Sequence, residues 1–221
     1  MNENKTEVLS GLHQTLQIGK WSAWGSFILF VIYDIVVVAG IAVHGDLKEQ
    51  CLIIAEILSI VGTILLIPLM AAIHKCAPES AKVFSLTALG WTLLLTGFTV
   101  AVHFVNLTLL NQLSMEERID YARIIGWEWP SMLYSIELAA WHLCFGLSLF
   151  FAAFVFKGRG NEIVVRRGLL ITGLLCIIGL IGPFSGNLYL RLIGVFGYGI
   201  LFPIMCVYIA LIFKNAPILR R

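Results

Sequence analysis

Six stretches of this chain are long and apolar enough to cross a lipid bilayer. A transmembrane helix needs about 20 mainly apolar residues, and lipid forces such a stretch to bond its own backbone groups. We number the stretches segments 1 to 6; they are residues 22–44, 51–74, 83–107, 131–156, 168–185 and 189–213. The sequence therefore predicts an all-α integral membrane protein in which residues 1–221 form a single domain, a bundle of six transmembrane helices.

The composition excludes an ordinary soluble domain. The chain is 59% hydrophobic and 13% charged, with a mean hydropathy of +0.92, whereas soluble domains carry roughly 25% charged residues. A formal net charge of +2 is too small to indicate a nucleic-acid partner. The five cysteines include no CxxC pair, so we expect neither a disulfide framework nor a cysteine-rich metal site, and no motif indicates a cofactor.

Basic residues in the connections predict the orientation. If the N-terminus lies inside, only four of the 15 Lys and Arg residues fall on the outer side: Lys48, Arg118, Arg123 and Arg191. Membrane proteins concentrate positive charge in their cytoplasmic connections. We therefore expect both termini in the cytoplasm.

A short amphipathic helix is predicted on the outer side between segments 3 and 4. Ser114 and Glu117 have the spacing of a capping box, in which each side chain bonds the backbone N–H of the other residue. Gly126 is expected to end this helix, which either rests on the lipid headgroups or closes an outward-facing cavity as a lid. Residues 5–19 are also expected to lie along the membrane surface, because leucines recur there at helical spacing.

Four segments carry a polar face. In segment 3 it consists of residues spaced by 7, 4, 3, 4 and 3 positions: Ser85, Thr92, Thr96, Thr99, His103 and Asn106. Segment 4 has the corresponding set Tyr134, Glu137, Trp141, Cys144 and Ser148, segment 2 has Glu56, Ser59 and Thr63, and segment 1 has Tyr33 and Asp34. Lipid offers no hydrogen-bond partners, so these faces are expected to turn toward each other. Most of the Ser and Thr residues are expected to serve as packing contacts between helices.

The ionisable residues within the segments define a candidate site. A charged side chain at a helix centre costs about 2.5–3.5 kcal/mol even on the mildest scale. Arg191 lies one turn inside segment 6 and is expected to pair with Glu137 or Glu56. The candidate ligand-binding residues are Asp34, Glu56, Thr99, His103, Tyr134, Glu137, Trp141 and Arg191. The alternative is a structural ion-pair network that holds the bundle in register.

His142 is excluded from this set by α-helical geometry. It follows Glu137 by five residues, which places it roughly a third of a turn or more away from the Glu137 face. We therefore expect it to face a neighbouring groove. A haem would need histidines at one depth on facing helices; only His44 with His103 approaches that arrangement, so no haem is expected.

Segments 5 and 6 are rich in glycine and contain Pro183 and Pro203. Glycine permits close contact between membrane helices, and proline bends a helix. The pattern predicts close packing within the bundle, or a surface through which a second copy or a partner subunit binds.

Three runs of the sequence resemble a known family. They are Leu66–Met70 leading through His74 to Pro78, Glu137–Trp141 running on into Gly146–Ala153, and the aromatic- and glycine-rich segment 6. Together they resemble small, uncharacterised six-span bacterial membrane proteins over segments 2 to 6. The resemblance implies a multi-pass protein of a prokaryotic plasma (inner) membrane, and it transfers no catalytic or binding residues.

The leading functional hypothesis is binding or transport of a small cation, a proton or a cationic amphiphile, in a polar cavity among segments 1–4 that opens toward the outside. Glu56 and Glu137 would bind the cation, His103 would share or relay a proton, and Asp34 would provide a deeper step.

Two alternatives remain open, because the chain contains no GxGxxG, Walker, HExxH or GxSxG motif that would name a reaction. One is an intramembrane enzyme acting on a lipid or isoprenoid, with Glu137 or Glu56 as general acid–base beside His103, and Trp141 and Tyr134 as apolar walls. The other is a non-catalytic subunit of a larger membrane complex.

Overall fold

The computed structural model describes residues 2–44, 49–109, 112–127 and 129–215. Lys48, which the sequence predicts on the outer side, lies outside the described residues, and so does the side chain of His44. The helices are α1 Asn2–His44, α2 Glu49–Cys76, α3 Lys82–Thr108, α4 Met115–Asp120, α5 Ala122–Ile125, α6 Met132–Ala153, α7 Asn161–Ser185 and α8 Leu188–Asn215.

Six of the helices in the described part of the chain are long and apolar enough to cross a membrane: α1, α2, α3, α6, α7 and α8. This confirms the prediction of an all-helical, multi-pass membrane protein. The helices pack in chain order around a ring, α1 on α2, α2 on α3, α3 on α6, α6 on α7 and α7 on α8, and α8 returns to α1. Large apolar side chains such as Ile35, Val61 and Phe104 stay exposed on the outer faces, as lipid-facing surfaces require.

The helices formed by segments 4 and 5 do not have the ends that the sequence predicts. α7 begins at Asn161 and not at residue 168, so Arg166 and Arg167 belong to the helix. α6 ends at Ala153 and not at residue 156, because the backbone N–H groups of the next three residues bond carbonyls three positions back and tighten the last turn. Both differences arise because a run of apolar residues shows only which part of the chain suits the hydrocarbon region. The helix itself extends as far as its backbone hydrogen bonds continue.

α1 is a single helix of 43 residues, so residues 5–19 do not form the separate surface helix that their leucine spacing predicts. At 1.5 Å per residue it is roughly 65 Å long, about twice the ~30 Å of a hydrocarbon core. Its early part packs on the end of α8: Leu16 is buried, and a Cβ added to Gly19 would lie 2.5 Å from the ring of Phe213. This contact holds the extended N-terminal half against the bundle.

Hydroxyl groups join α2, α3 and α6. Thr92 Oγ1 and Ser148 Oγ lie 2.7 Å apart, and Thr96 Oγ1 donates to the carbonyl of Thr63 at 3.0 Å. These bonds confirm the packing role expected for the Ser and Thr residues of the polar faces, because each one satisfies a hydroxyl group that lipid would leave unbonded.

Two of the spanning helices contain a π-helical turn, Ala139–Cys144 in α6 and Phe196–Leu201 in α8. A π turn inserts an extra residue into the helix and is common at functional sites. α7 is also interrupted, at Leu180, three residues before Pro183. The two π turns lie where α6 and α8 meet the cavity described below.

The capping box predicted for the connection after α3 is present. Ser114 N–H donates to Glu117 Oε2 at 2.8 Å, and Glu117 N–H donates to Ser114 Oγ at 3.3 Å. α4 and α5 follow, and Gly126 comes directly after the last residue of α5. The structure therefore has two short helices, separated at Tyr121, where the sequence predicts one. The position of this segment on the outer side stays a prediction.

Candidate functional site

A cavity of about 470 Å³ lies among α1, α2, α6 and α8, with His103 of α3 and Trp127 of the connection also in its wall. Seven of the eight predicted ligand-binding residues line it: Asp34, Glu56, His103, Tyr134, Glu137, Trp141 and Arg191. Thr99 is fully buried but is not among the lining residues. The polar faces of the first four segments therefore meet at one site, as the sequence predicts.

Glu137 Oε1 is shared by two neighbouring side chains. Trp141 Nε1 donates to it at 2.5 Å, and His103 Nε2 lies 3.1 Å from it. The other carboxylate oxygen, Oε2, and the other ring nitrogen, His103 Nδ1, are buried and have no hydrogen-bond partner within the described part of the chain. This cluster therefore keeps one acceptor and one ring nitrogen available for a ligand or a proton.

Two further carboxylates face the cavity. Glu56 is only 3% exposed and interacts electrostatically with His103 and Glu137. Asp34 is half-buried, and its Oδ1 lies 3.3 Å from the position that a Cβ on Gly199 would occupy, so the absence of a side chain there lets α8 approach this carboxylate. Within the described ranges, His103 Nε2 and Glu137 Oε1 are close enough for an ion pair when the imidazole is protonated, and neither Asp34 nor Glu56 forms an ion pair.

The predicted pairing of Arg191 with Glu137 or Glu56 is wrong. The guanidinium donates a hydrogen bond from Nη1 to the hydroxyl of Tyr134, and its carbon lies 5.5 Å from the centre of that ring. The backbone is held close to α7, since Arg191 N lies 2.7 Å from where a Cβ on Gly182 would be. This close approach directs the side chain to Tyr134 on α6. The depth of Arg191 along its helix does not predict this partner.

His142 lines the cavity, although α-helical geometry predicts that it faces a neighbouring groove. It lies in the π turn Ala139–Cys144, where the extra residue changes the angular position of side chains that follow Glu137. A π turn depends on tertiary contacts and has no simple sequence signal. The ring lies in the groove between α7 and α8, as predicted, and it also borders the cavity, which the sequence did not predict.

Glycines on two helices enclose the His142 ring. A Cβ added to Gly179 of α7 would lie 2.4 Å from His142 Cδ2, and one added to Gly194 of α8 would lie 2.6 Å from the same atom. The ring nitrogens Nδ1 and Nε2 each lie 3.2 Å from a backbone carbonyl oxygen, that of Leu138 and that of Arg191 respectively. These glycines pack within the chain; a partner surface on the same helices stays a prediction.

Four aromatic residues that the candidate set omits also line the cavity: Phe30, Tyr33, Trp127 and Tyr198. The Trp127 ring lies 5.3 Å from the His103 ring and 5.6 Å from the Tyr134 ring, so the connection between α5 and α6 covers part of the polar wall. Tyr33 was detectable from its position next to Asp34. Trp127 had no periodic signal, because it lies outside the spanning helices.

An aromatic cluster closes the cavity toward the interior of the bundle. Phe30 and Trp141 line the cavity, and their rings contact each other at 5.8 Å between centres. Phe145 and Phe202 lie behind them, fully buried, with ring centres 4.9 Å apart. Edge-to-face packing of this kind is a stable arrangement for buried rings, so the described conformation has an apolar floor.

The wall formed by α1 and α2 is largely apolar. Val37 and Ile41 of α1 and Leu52 and Leu58 of α2 line the cavity on this side. Ile41 is 49% exposed, so this wall continues into the lipid-facing surface of the bundle. The cavity therefore has apolar side chains on the same helices as the carboxylates of Asp34 and Glu56.

Among the described residues, no group of three or more His, Cys, Asp or Glu side chains is arranged to hold a metal ion. Comparisons with protein-family models, with curated proteins and with solved structures find no match. The resemblance to six-span bacterial membrane proteins stays a prediction. The function of the cavity is therefore inferred from the chemistry of the residues that line it.

Proposed function

We propose that this protein binds a small cation or a cationic amphiphile in the cavity. The observation that carries the proposal is that Asp34 and Glu56 face the cavity, while neither forms an ion pair among the described residues. Each charge costs about 2.5–3.5 kcal/mol or more at membrane depth. A bound cation offsets that cost, since it supplies the missing opposite charge.

The Glu137–His103 pair gives the proposed site a route for protons. Its ring nitrogen and carboxylate oxygen lie 3.1 Å apart, a distance at which a proton passes between two groups. Glu56 lies within electrostatic reach of both. Arrival of a cation at Glu56 therefore favours release of a proton from the pair, which couples cation binding to proton transfer.

The test of binding uses two hydrophobic ions of the same size and opposite charge, tetraphenylphosphonium and tetraphenylborate, titrated calorimetrically into protein in a neutral detergent. We expect the cation alone to bind, and Asp34→Asn/Glu56→Gln to weaken its binding roughly tenfold or more, since a charged contact is worth about 1.5–3 kcal/mol. The matched control is Glu116→Gln, which removes an exposed carboxylate in α4. Equal binding of both ions, or an unaffected double variant, would contradict the proposal.

Transport is the second part of the proposal. Passage to the far side of the bundle requires the rings of Phe30 and Phe202, now 5.2 Å apart, to separate. The π turns of α6 and α8 flank this floor and are the places where small helix movements occur most easily. Uptake of ethidium into proteoliposomes under a pH gradient tests the idea. Uptake no faster than in protein-free vesicles would reject transport and leave binding intact.

We also propose the predicted orientation and location, with both termini in the cytoplasm and the protein in a plasma membrane. Lys157 and Arg159 are exposed in the connection between α6 and α7, at the end of α6 opposite Trp127. This distribution agrees with the excess of basic residues found in cytoplasmic connections. Labelling a cysteine introduced at Lys157 with a membrane-impermeant maleimide, in intact and in opened cells, tests it; labelling in intact cells would reverse the orientation.

The second candidate is an intramembrane enzyme acting on a lipid or isoprenoid. It is favoured by the shared oxygen of Glu137, which Trp141 and His103 hold in a fixed position, as a general acid–base requires. Incubating the protein with a bacterial lipid extract and comparing lipid masses for wild type and Glu137→Gln tests this reading. Identical lipid profiles would count against it.

A further inference from the structure

Arg191 is a cation in a cavity that otherwise collects negative charge. Its guanidinium contacts Tyr134, which is a neutral phenol, through both a hydrogen bond and the face of the ring. Among the described residues it forms no ion pair with any of the three carboxylates that line the same cavity. Arginine stays charged in proteins and carries five N–H donors, so most of its bonding capacity is unused.

From this separation of charges we infer that the ligand has a zwitterionic head, with an ammonium group bound by Asp34 and Glu56 and a phosphate group bound by Arg191. The inference rests on the proposed function and names its substrate class. A simple cation would match the carboxylates and leave the guanidinium without an anion. A ligand that carries both charges matches both sides of the cavity.

The chemistry of Arg191 favours phosphate as the anionic group. A guanidinium presents parallel N–H donors that fit the oxygens of a phosphate in a two-point contact. The aromatic ring of Tyr134 keeps the guanidinium in place without neutralising it, since a phenol bears no charge. The position is therefore prepared for an anion that the protein itself does not supply.

The apolar wall indicates that the zwitterionic head is attached to a hydrocarbon chain. Val37 and Ile41 of α1 and Leu52 of α2 line the cavity about one to two turns along the same helices from Asp34 and Glu56, and the exposure of Ile41 connects this part of the cavity to the lipid-facing surface. A chain of methylene groups placed there stays in contact with apolar side chains, at a gain of about 0.8 kcal/mol for each buried CH₂. The structure thus assigns an amphiphile with an ammonium-phosphate head.

The test is a competition among ligands that share one C12 chain: dodecylphosphocholine (zwitterion), dodecyltrimethylammonium (cation) and dodecyl phosphate (anion), with free phosphocholine as the head without a chain. Equimolar mixtures are added below their micellar concentrations to protein in a neutral detergent, and occupancy is read by native mass spectrometry. We expect the zwitterion to exceed the cation by roughly tenfold, as one charge-assisted contact allows, and free phosphocholine to compete weakly.

The variant Arg191→Gln should remove the preference for the zwitterion over the cation while the cation still binds. If that variant does not fold, the competition on wild type alone decides the matter, and Arg191→Lys provides a charge-conserving comparison. Equal occupancy by zwitterion and cation, or a preference unchanged in Arg191→Gln, would overturn the inference. Equal competition by free phosphocholine would overturn the part played by the apolar wall.

Failure of this inference is distinguishable from failure of the proposed function. If tetraphenylphosphonium binds in a way that depends on Asp34 and Glu56, but the C12 zwitterion has no advantage, the cation site stands and the zwitterionic head is rejected. If the anion dodecyl phosphate binds best and tetraphenylphosphonium does not bind, both proposals are rejected together.

Discussion

Gly194→Ala should loosen the packing of His142 between α7 and α8. The new Cβ would lie 2.6 Å from His142 Cδ2 and 2.8 Å from Nε2, and also 3.3 Å from the Cα of Cys176. Carbon atoms pack at about 3.5–4.0 Å, so the ring must move by roughly 1 Å. The same movement weakens its contacts with the carbonyl oxygens of Leu138 and Arg191, each now at 3.2 Å.

The expected magnitude follows from three terms. Overpacking costs about 1–3 kcal/mol, and weakening the one hydrogen bond that a neutral imidazole donates to these carbonyls costs about 0.5–1.5 kcal/mol. Alanine returns about 1 kcal/mol of helix propensity relative to glycine. The net loss is therefore about 0.5–3.5 kcal/mol, which at about 2–4 °C per kcal/mol lowers the melting temperature by roughly 1–14 °C.

The assay is thermal unfolding of purified protein in detergent, followed by tryptophan fluorescence. The matched control is Gly97→Ala in α3, where a Cβ meets nothing within 4 Å. The control gains the same helix propensity without a clash, so its melting temperature should stay the same or rise slightly. If Gly194→Ala melts together with Gly97→Ala, the argument that the glycines hold His142 in the cavity wall is wrong.

Three more predictions each test a single contact. Hydrogen bonds from the backbone and side chain of Ser114 hold the pKa of Glu117 below its usual range; the carboxylate therefore stabilises α4 at neutral pH, and this is lost as the pH falls through the lowered pKa. Hydrogen-exchange protection of α4 should drop only in acid, and Glu117→Gln, which removes the titrating carboxyl group, should abolish that pH dependence. Ser148→Ala, which deletes the 2.7 Å contact with Thr92, should cost about 0.6–1.7 kcal/mol in thermal unfolding; an unchanged melting temperature would contradict this. Trp141→Phe keeps an aromatic ring but removes the N–H donated to the cavity carboxylate, and should cost about 1–3 kcal/mol in the same assay; a variant as stable as wild type would show that the bond contributes nothing.

Periodicity alone predicted much of the site. His103 and Glu137 were assigned to polar faces of two different segments, and the structure brings their side chains to 3.1 Å. Such a prediction works because a regular helix keeps residues three and four apart on one side. Because lipid offers no hydrogen-bond partners, the polar faces of these helices then pack against each other.

The same reasoning was incomplete where a helix is irregular and failed where a side chain had two possible directions. His142 lies in the groove between α7 and α8, as predicted, but the π turn that contains it also brings it to the edge of the cavity. Arg191 turns to Tyr134, although its depth suits either of two carboxylates equally well. Thr99 belongs to the polar face of α3 but is covered and does not line the cavity.

The sequence by itself determined that the chain forms six membrane-length helices and which side of the first four is polar. Both properties depend on local composition, since the cost of burying backbone and charge in lipid is set within each helix. Only the tertiary structure decided which charged groups pair and which stay unpaired. Those outcomes depend on how far each helix is rotated, and contacts between distant residues, such as Gly179 and Gly194 against His142, set that rotation.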